Sequence, residues 1–147
     1  MTRAAAADPF NLRRFVAAQG NGVYEAALAE LTAGRKTSHW MWFVFPQIAG
    51  LGSSQMSVRY ALTGVAEAEA YRAHDLLGRR YDECCAALLD LGDVSMTYVL
   101  GAVDTHKLRS SLTLFNQVAA PSDTIEKLLV RHFDDKHDPA TLALLAS

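Results

Sequence analysis

Cysteine is almost missing from this chain: Cys84 and Cys85 are the only two, and they are neighbours. Adjacent cysteines staple no loop and lack the spacing of a metal half-site, so a disulfide framework and a zinc knuckle are both excluded. They read as small apolar residues buried in a helix. A surplus of one charge is missing as well. Lys and Arg number 14 against 16 Asp and Glu, a net charge of -2 with no block of like charge, which gives no footprint for a nucleic-acid polymer or an anionic membrane. No apolar run nears the ~20 residues that a membrane-spanning helix needs, and MTRAAAADPF lacks the apolar stretch of a signal peptide. A cytoplasmic protein is expected.

Signatures of cofactor and metal chemistry are absent too. There is no G-x-G-x-x-G, P-loop, H-E-x-x-H or G-x-S-x-G. The histidines fall without a pair three or four apart, and His132 with His137 in HFDDKHD reads as an exposed polar turn rather than a metal site. Neither a metal nor a cofactor is expected.

What the chain does have is helical punctuation. Asp8-Pro9 offers an N-cap and first helical residue, with Leu12, Phe15, Val16 and Gln19 on one face and only Gln19 interrupting an apolar stripe. Tyr24, Ala27, Leu28 and Leu31 repeat the pattern before Gly34. A turn or two of helix is expected between Ser54 and Gly64. VAEAEAYRAH and LLGRRYDECCAALLDLG are helical by propensity and pattern, SMTYVLG forms a short helix closed by Gly101, and Asp104 caps a long one that Pro121 stops. Ile125, Leu128, Leu129, His132 and Phe133 mark a further helix, and Asp138-Pro139 opens the last. No long alternating segment exists. The expected fold is all-α, a single multihelical domain over 8–147 with roughly seven to eight helices, no substantial sheet, and a flexible N-terminus over 1–7.

One segment resists this scheme. SHWMWFVFPQ, residues 38–47, holds both tryptophans and two of the six phenylalanines. Its residue types favour a strand, yet Ser38 can cap a short helix that Pro46 ends; a short helix or irregular buried segment fits better. In a helix Trp40 and Trp42 lie about 200° apart, and in a strand they share a face.

GRKTSHWMWFVFPQIAGLG, then EAEAYRAHDLLGRR, then GAVDTHKLRSSLTLF and the closing DPATLALL resemble, in order and spacing, the bacterial family known as domain of unknown function 1810 (DUF1810), from Asp8 to Leu145. The resemblance implies a small, mainly helical, stand-alone cytoplasmic protein and brings no established activity. Some members carry a calpastatin label, which no feature of this sequence supports.

Chemistry must therefore come from the residues. If Ser38 caps a helix, its first-turn N–H groups, Arg35, Lys36 and His39 face one side and suit a phosphate or carboxylate. Otherwise Arg35 and Lys36 are solvated and His39 bonds a buried carbonyl. A second polar group, Asp104, His106, Lys107 and Arg109, opens the long helix. There Asp104, Lys107 and Ser111 share a ridge from which His106 diverges, and Asp104 is explained as a plain N-cap. If the two groups face each other, four cations converge. On that basis the chain is read as an uncharacterised ligand-binding protein for an anionic small molecule, ring-bearing and phosphorylated, such as a nucleotide or nucleotide sugar. Lys36, Lys107 and Arg109 neutralise its charge, Trp40 stacks on the ring, and Gln47 either reads a ligand edge or ties down a loop. If a reaction follows, hydrolysis or glycosidic cleavage fits better than redox chemistry. His39 and Asp104 are then the catalytic candidates, with Glu69 a weaker base. Tyr60, Tyr71, His74, Arg79 and Arg80 form a middle polar set, in which His74 reads as a helix-junction residue. The alternative is a protein-interaction module, as monomer or homodimer, that exposes part of the aromatic block.

Overall fold

The computed structural model describes residues 7–118 and 122–147; the expected stop at Pro121 and most of the 1–7 segment lie outside the described residues. In chain order the helices are α1 (Arg13–Ala18), α2 (Val23–Ala33), α3 (Met41–Val44), α4 (Gln55–Arg59), α5 (Val65–Ala73), α6 (Asp75–Asp90), α7 (Met96–Leu100), α8 (Ala102–Val118), α9 (Asp123–Phe133) and α10 (Pro139–Ala146). Among the described residues no strand forms; a lone bridge pairs Ile48 with Leu62. Among the described residues ten helices stand where seven to eight were expected. Three of them, α3, α4 and α7, are the short pieces anticipated at the aromatic block, between Ser54 and Gly64, and in SMTYVLG, and each is a single turn of four or five residues.

Local chemistry sets most boundaries. Ser54, Ser95, Ser122 and Asp138 each accept a first-turn N–H in their side chains and start α4, α7, α9 and α10. His74 does the same with an imidazole, its Nδ1 accepting from Leu76 and Leu77 at the start of α6, which is the junction role expected of it. Asp8 also caps, but α1 starts a turn later than Pro9: Asn11 adopts φ 54°, and the Asp8 carboxylate takes the N–H groups of Leu12 and Arg13 instead. Asp104 is not the N-cap of α8. Gly101 ends α7 at φ 87° and its carbonyl already receives the N–H of Thr105, so the helix has begun two residues before Asp104.

The two long helices carry the packing. α6 lies against α2, α5 and α9, while α8 lies against α5, α7, α9 and α10. Between them sits an aromatic nucleus drawn from five parts of the chain. Tyr81 of α6 meets Phe115 of α8 edge-on at 4.7 Å, Phe45 meets Tyr81 at 5.5 Å, and Phe15 of α1 meets Tyr71 of α5 at 5.0 Å. Such pairs add roughly 0.5–1.5 kcal/mol each beyond the area they bury. The polar break in the first stripe has a use here: buried Gln19 donates to the Phe43 carbonyl at 2.8 Å and accepts from Arg80, tying α1 to α3 and α6. Gly78, in the first turn of α6, answers a steric demand. A Cβ there would lie 2.2 Å from the Arg72 carbonyl oxygen, because α5 and α6 approach backbone to backbone.

The loop before α3 is shaped by one carboxylate. Glu30, in the last turns of α2, accepts from the Thr37 N–H at 2.8 Å, the Ser38 N–H at 3.0 Å, the Ser38 hydroxyl, and the Trp40 indole at 3.0 Å. Ser38 is thereby taken from the capping role expected of it; α3 starts at Met41, with Trp40 as an N-cap that makes no side-chain bond. Burial raises the Glu30 pKa, but the hydrogen bonds from Ser38, Thr37 and Trp40 outweigh it and hold the group at about 2, against an ordinary 4.5.

Two stability measurements follow from this packing. Glu30→Gln should lower the unfolding free energy at neutral pH by roughly 1–3 kcal/mol, because partners of the carboxylate lose their acceptor. A depressed carboxylate pKa stabilises above the unfolded value and loses that contribution as acid protonates it, so the gap between parent and variant should narrow as pH falls from about 4.5 toward 2 in urea titrations. Gly78→Ala should cost roughly 3 kcal/mol in the same assay, since a backbone oxygen cannot swing aside as a side chain can.

Candidate functional site

With its loop held by Glu30, Lys36 turns inward. Its N–H donates to the Val99 carbonyl at 2.8 Å, and its Nζ donates to the Ser38 carbonyl at 2.7 Å and sits 5.0 Å from the centre of the Trp40 ring. The same ammonium reaches Asp104 Oδ2 at 2.9 Å. Lys107, one turn along α8, stands 3.7 Å from Asp104 Oδ1 and lies over the ring of Trp42 at 5.0 Å. Two cations from distant parts of the chain thus flank one carboxylate. They are not equally bound. Lys36 is 8% exposed and has two close oxygen partners, whereas Lys107 is 19% exposed and holds Asp104 at a distance beyond a good hydrogen bond.

The expected convergence of four cations is therefore reduced to two. Arg35 leaves to lie over Tyr98, 5.5 Å from its ring centre. Arg109 is five residues from Asp104, about 140° further round the helix, and its guanidinium donates to the carbonyls of Lys136 at 2.6 Å and His137 at 3.0 Å. It anchors the turn before α10 and does not join Lys36 and Lys107.

Beside this cluster lies a cleft of about 400 Å³. One wall is the segment between α3 and α5, contributing Gln47, Gly52 and Ser57; the other is α8, contributing Val103, His106 and Lys107. Gln47 lines the cleft, and its carbonyl accepts the Leu62 N–H at 2.9 Å, so it ties down the loop through its backbone. Ser110, also at the cleft, donates to Asp138 Oδ2 at 2.8 Å. Asp138 is 2% exposed; burial raises its carboxyl pKa, but hydrogen bonds from Thr141 and Ser110, helped by the charge of His106, bring it below the ordinary value. An ionised N-cap is thus fixed behind the cleft.

The tryptophans divide as helical spacing requires. Trp40 is 1% exposed, with its indole N–H on Glu30, and offers no free face. Trp42 is half-buried beneath the Lys107 ammonium. His39 is exposed and outside the cleft lining, and Glu69 is exposed on α5. Tyr60 and Tyr71 are core residues, and Arg80 lies over the ring of Tyr24 at 4.4 Å. Sequence reasoning set His106 apart from the ridge of Asp104 and Lys107, yet it lines the same cleft as Lys107. Only the position of the 47–57 segment across α8 reveals this. Among the described residues, no group of three or more His, Cys, Asp or Glu is arranged to hold a metal ion.

The comparisons with known proteins bear on this arrangement. A search of curated proteins finds no match. A crystal structure of the conserved hypothetical protein Rv1873 from Mycobacterium tuberculosis is similar, with 46% sequence identity, 95% of this chain and 99% of that chain covered, and a TM-score of 0.92. The family model described as protein of unknown function (DUF1810) matches residues 9–145. On that match, spanning nearly the whole length, the chain belongs to the DUF1810 family.

Proposed function

We propose that the cleft between the 47–57 segment and α8 binds a small anionic molecule, with Lys107 as its charge anchor. The observation that carries this reading is the unequal sharing of Asp104: Lys36 takes one oxygen at 2.9 Å, and Lys107 is left at 3.7 Å from the other, on the cleft lining. Two ammonium groups against one carboxylate leave a unit of positive charge to be matched. An entering phosphate or carboxylate matches it with a short charge-assisted hydrogen bond. A cleft of about 400 Å³ is within the usual range for small-molecule sites. Gln47 supplies an amide that reads either donors or acceptors, while Trp42 supports Lys107 from beneath and lies outside the cleft lining. In this reading Lys36 and Asp104 position Lys107 rather than touch the ligand. A nucleotide-like compound fits the charge at Lys107. Should the bound compound be hydrolysed, His106 is the imidazole that the cleft offers for proton transfer, because Asp104 is engaged by two lysines.

A second reading, an interaction surface for another protein, is favoured by apolar side chains around the cleft. Val103 is 71% exposed and Val58 65%, with Tyr98 at 66% on the neighbouring α7.

A thermal-shift panel of nucleotides, ADP-ribose-type compounds and phosphorylated sugars separates the two. A ligand present at a hundred times its Kd should raise Tm by roughly 5–10 °C. Lys107→Met should weaken it about tenfold or more. A panel without effect, together with a dimer on size-exclusion chromatography, favours the second reading, and an unchanged affinity in the Met variant removes Lys107 from the site.

A further inference from the structure

Four residues of α8, Val103, His106, Lys107 and Ser110, line the cleft, and they stand at the i, i+3, i+4 and i+7 positions of one helix face. His106 is exposed on that face, and Ser110 is buried at its far end. Ser110 leads on to Asp138. Its hydroxyl donates to Oδ2 at 2.8 Å, and Thr141 donates to the same oxygen through its hydroxyl at 2.6 Å and its N–H at 3.3 Å. All of these donors are neutral. Among the described residues no cationic side chain pairs with the Asp138 carboxylate, although it is only 2% exposed. A buried charge without a counter-charge is costly. His106, one turn before Ser110, is the titratable cation whose charge reaches it.

The surroundings of His106 hold little else that is charged. On α8 its neighbour is Lys107; the facing 47–57 segment contributes Gln47, Leu51, Gly52 and Ser57, none of them charged, and α10 contributes Ala140. In the turn before α10, His137 is turned to Asp135 at 3.3 Å, and the Arg109 guanidinium is occupied by the carbonyls of Lys136 and His137. Once Asp138 is counted, the charges around the cleft balance while His106 is neutral: Lys36 and Lys107 stand against Asp104 and Asp138. The surplus at Lys107 is thus opposed from behind the wall. A proton on His106 restores one positive charge, and it does so on the cleft face.

We infer that an anion enters this cleft together with a proton, with His106 becoming an imidazolium and the second cationic contact beside Lys107. This rests on the anion-binding reading of the cleft and deepens it, adding a binding residue and a control by pH. The head of the ligand is then an oxyanion that accepts from two charged donors at once, as phosphate, sulfate and carboxylate groups do.

The test titrates sulfate, whose charge does not change across the range used, into the full chain by isothermal calorimetry. Sulfate should bind roughly fivefold tighter at about pH 5.5 than at about pH 7.5, the span over which an ordinary imidazole changes its charge. Midway between, the heat of binding should vary with the ionisation enthalpy of the buffer, the sign of proton uptake. His106→Gln, at an exposed position, should bind sulfate equally at both pH values and with a heat independent of the buffer. Equal affinity of the parent at the two pH values, or a pH dependence that survives in His106→Gln, overturns the coupling while the anion site stands. If sulfate binds at neither pH, the anion reading falls and this inference falls with it.

Discussion

A single carboxylate, that of Glu30, fixes the backbone on which the rest of the candidate site depends. It gathers N–H and O–H donors from three residues of the following loop, and in doing so it occupies the place where an external anion would otherwise have been expected beside Ser38. The chain has filled its own anion nest. The residues immediately before α3 are consequently structural, and the free cationic side of the molecule is displaced to the start of α8.

The displacement runs through a sequence of charges. Because Glu30 holds residues 37–40, Lys36 is drawn beneath Trp40 and onto Asp104. Because Lys36 already satisfies one oxygen of Asp104, Lys107 keeps a looser hold on the other. Lysine is suited to this arrangement, since its compact ammonium on a flexible stem can exchange a weak partner for a better one with little rearrangement. The neighbouring Ser110 and Asp138 are, by contrast, locked into the cap of α10, which sets a firmly bonded back behind the more loosely paired Lys107.

The fold was legible because its determinants are local. A cap residue such as Asp138, terminators such as Gly34 and Gly101, and stripes such as Leu28 with Leu31 act within one or two turns of where they stand. The single-turn helices α4 and α7 were placed by the same punctuation, although they have too few residues to repeat a pattern. In the site, what could be read was the pairing of Lys36 with Lys107 across the chain. What could not be read were long-range choices: Glu30 reaching forward to Trp40, Arg109 turning to the 136–137 carbonyls, and His106 meeting Gln47 across a cleft. Trp40 shows the limit well. It was read as the residue that stacks on a ligand ring, but a buried indole needs a hydrogen-bond acceptor, and that acceptor came from a helix residue ten positions earlier.

If Glu30 is the organising anion, it must stay ionised where ordinary glutamates have taken up their proton. Following its side-chain carboxyl carbon by NMR as pH is lowered tests this directly. The account requires the signal to remain that of a carboxylate through the ordinary range and to titrate at about 2. A titration centred near 4.5, the value of an unencumbered glutamate, would contradict it.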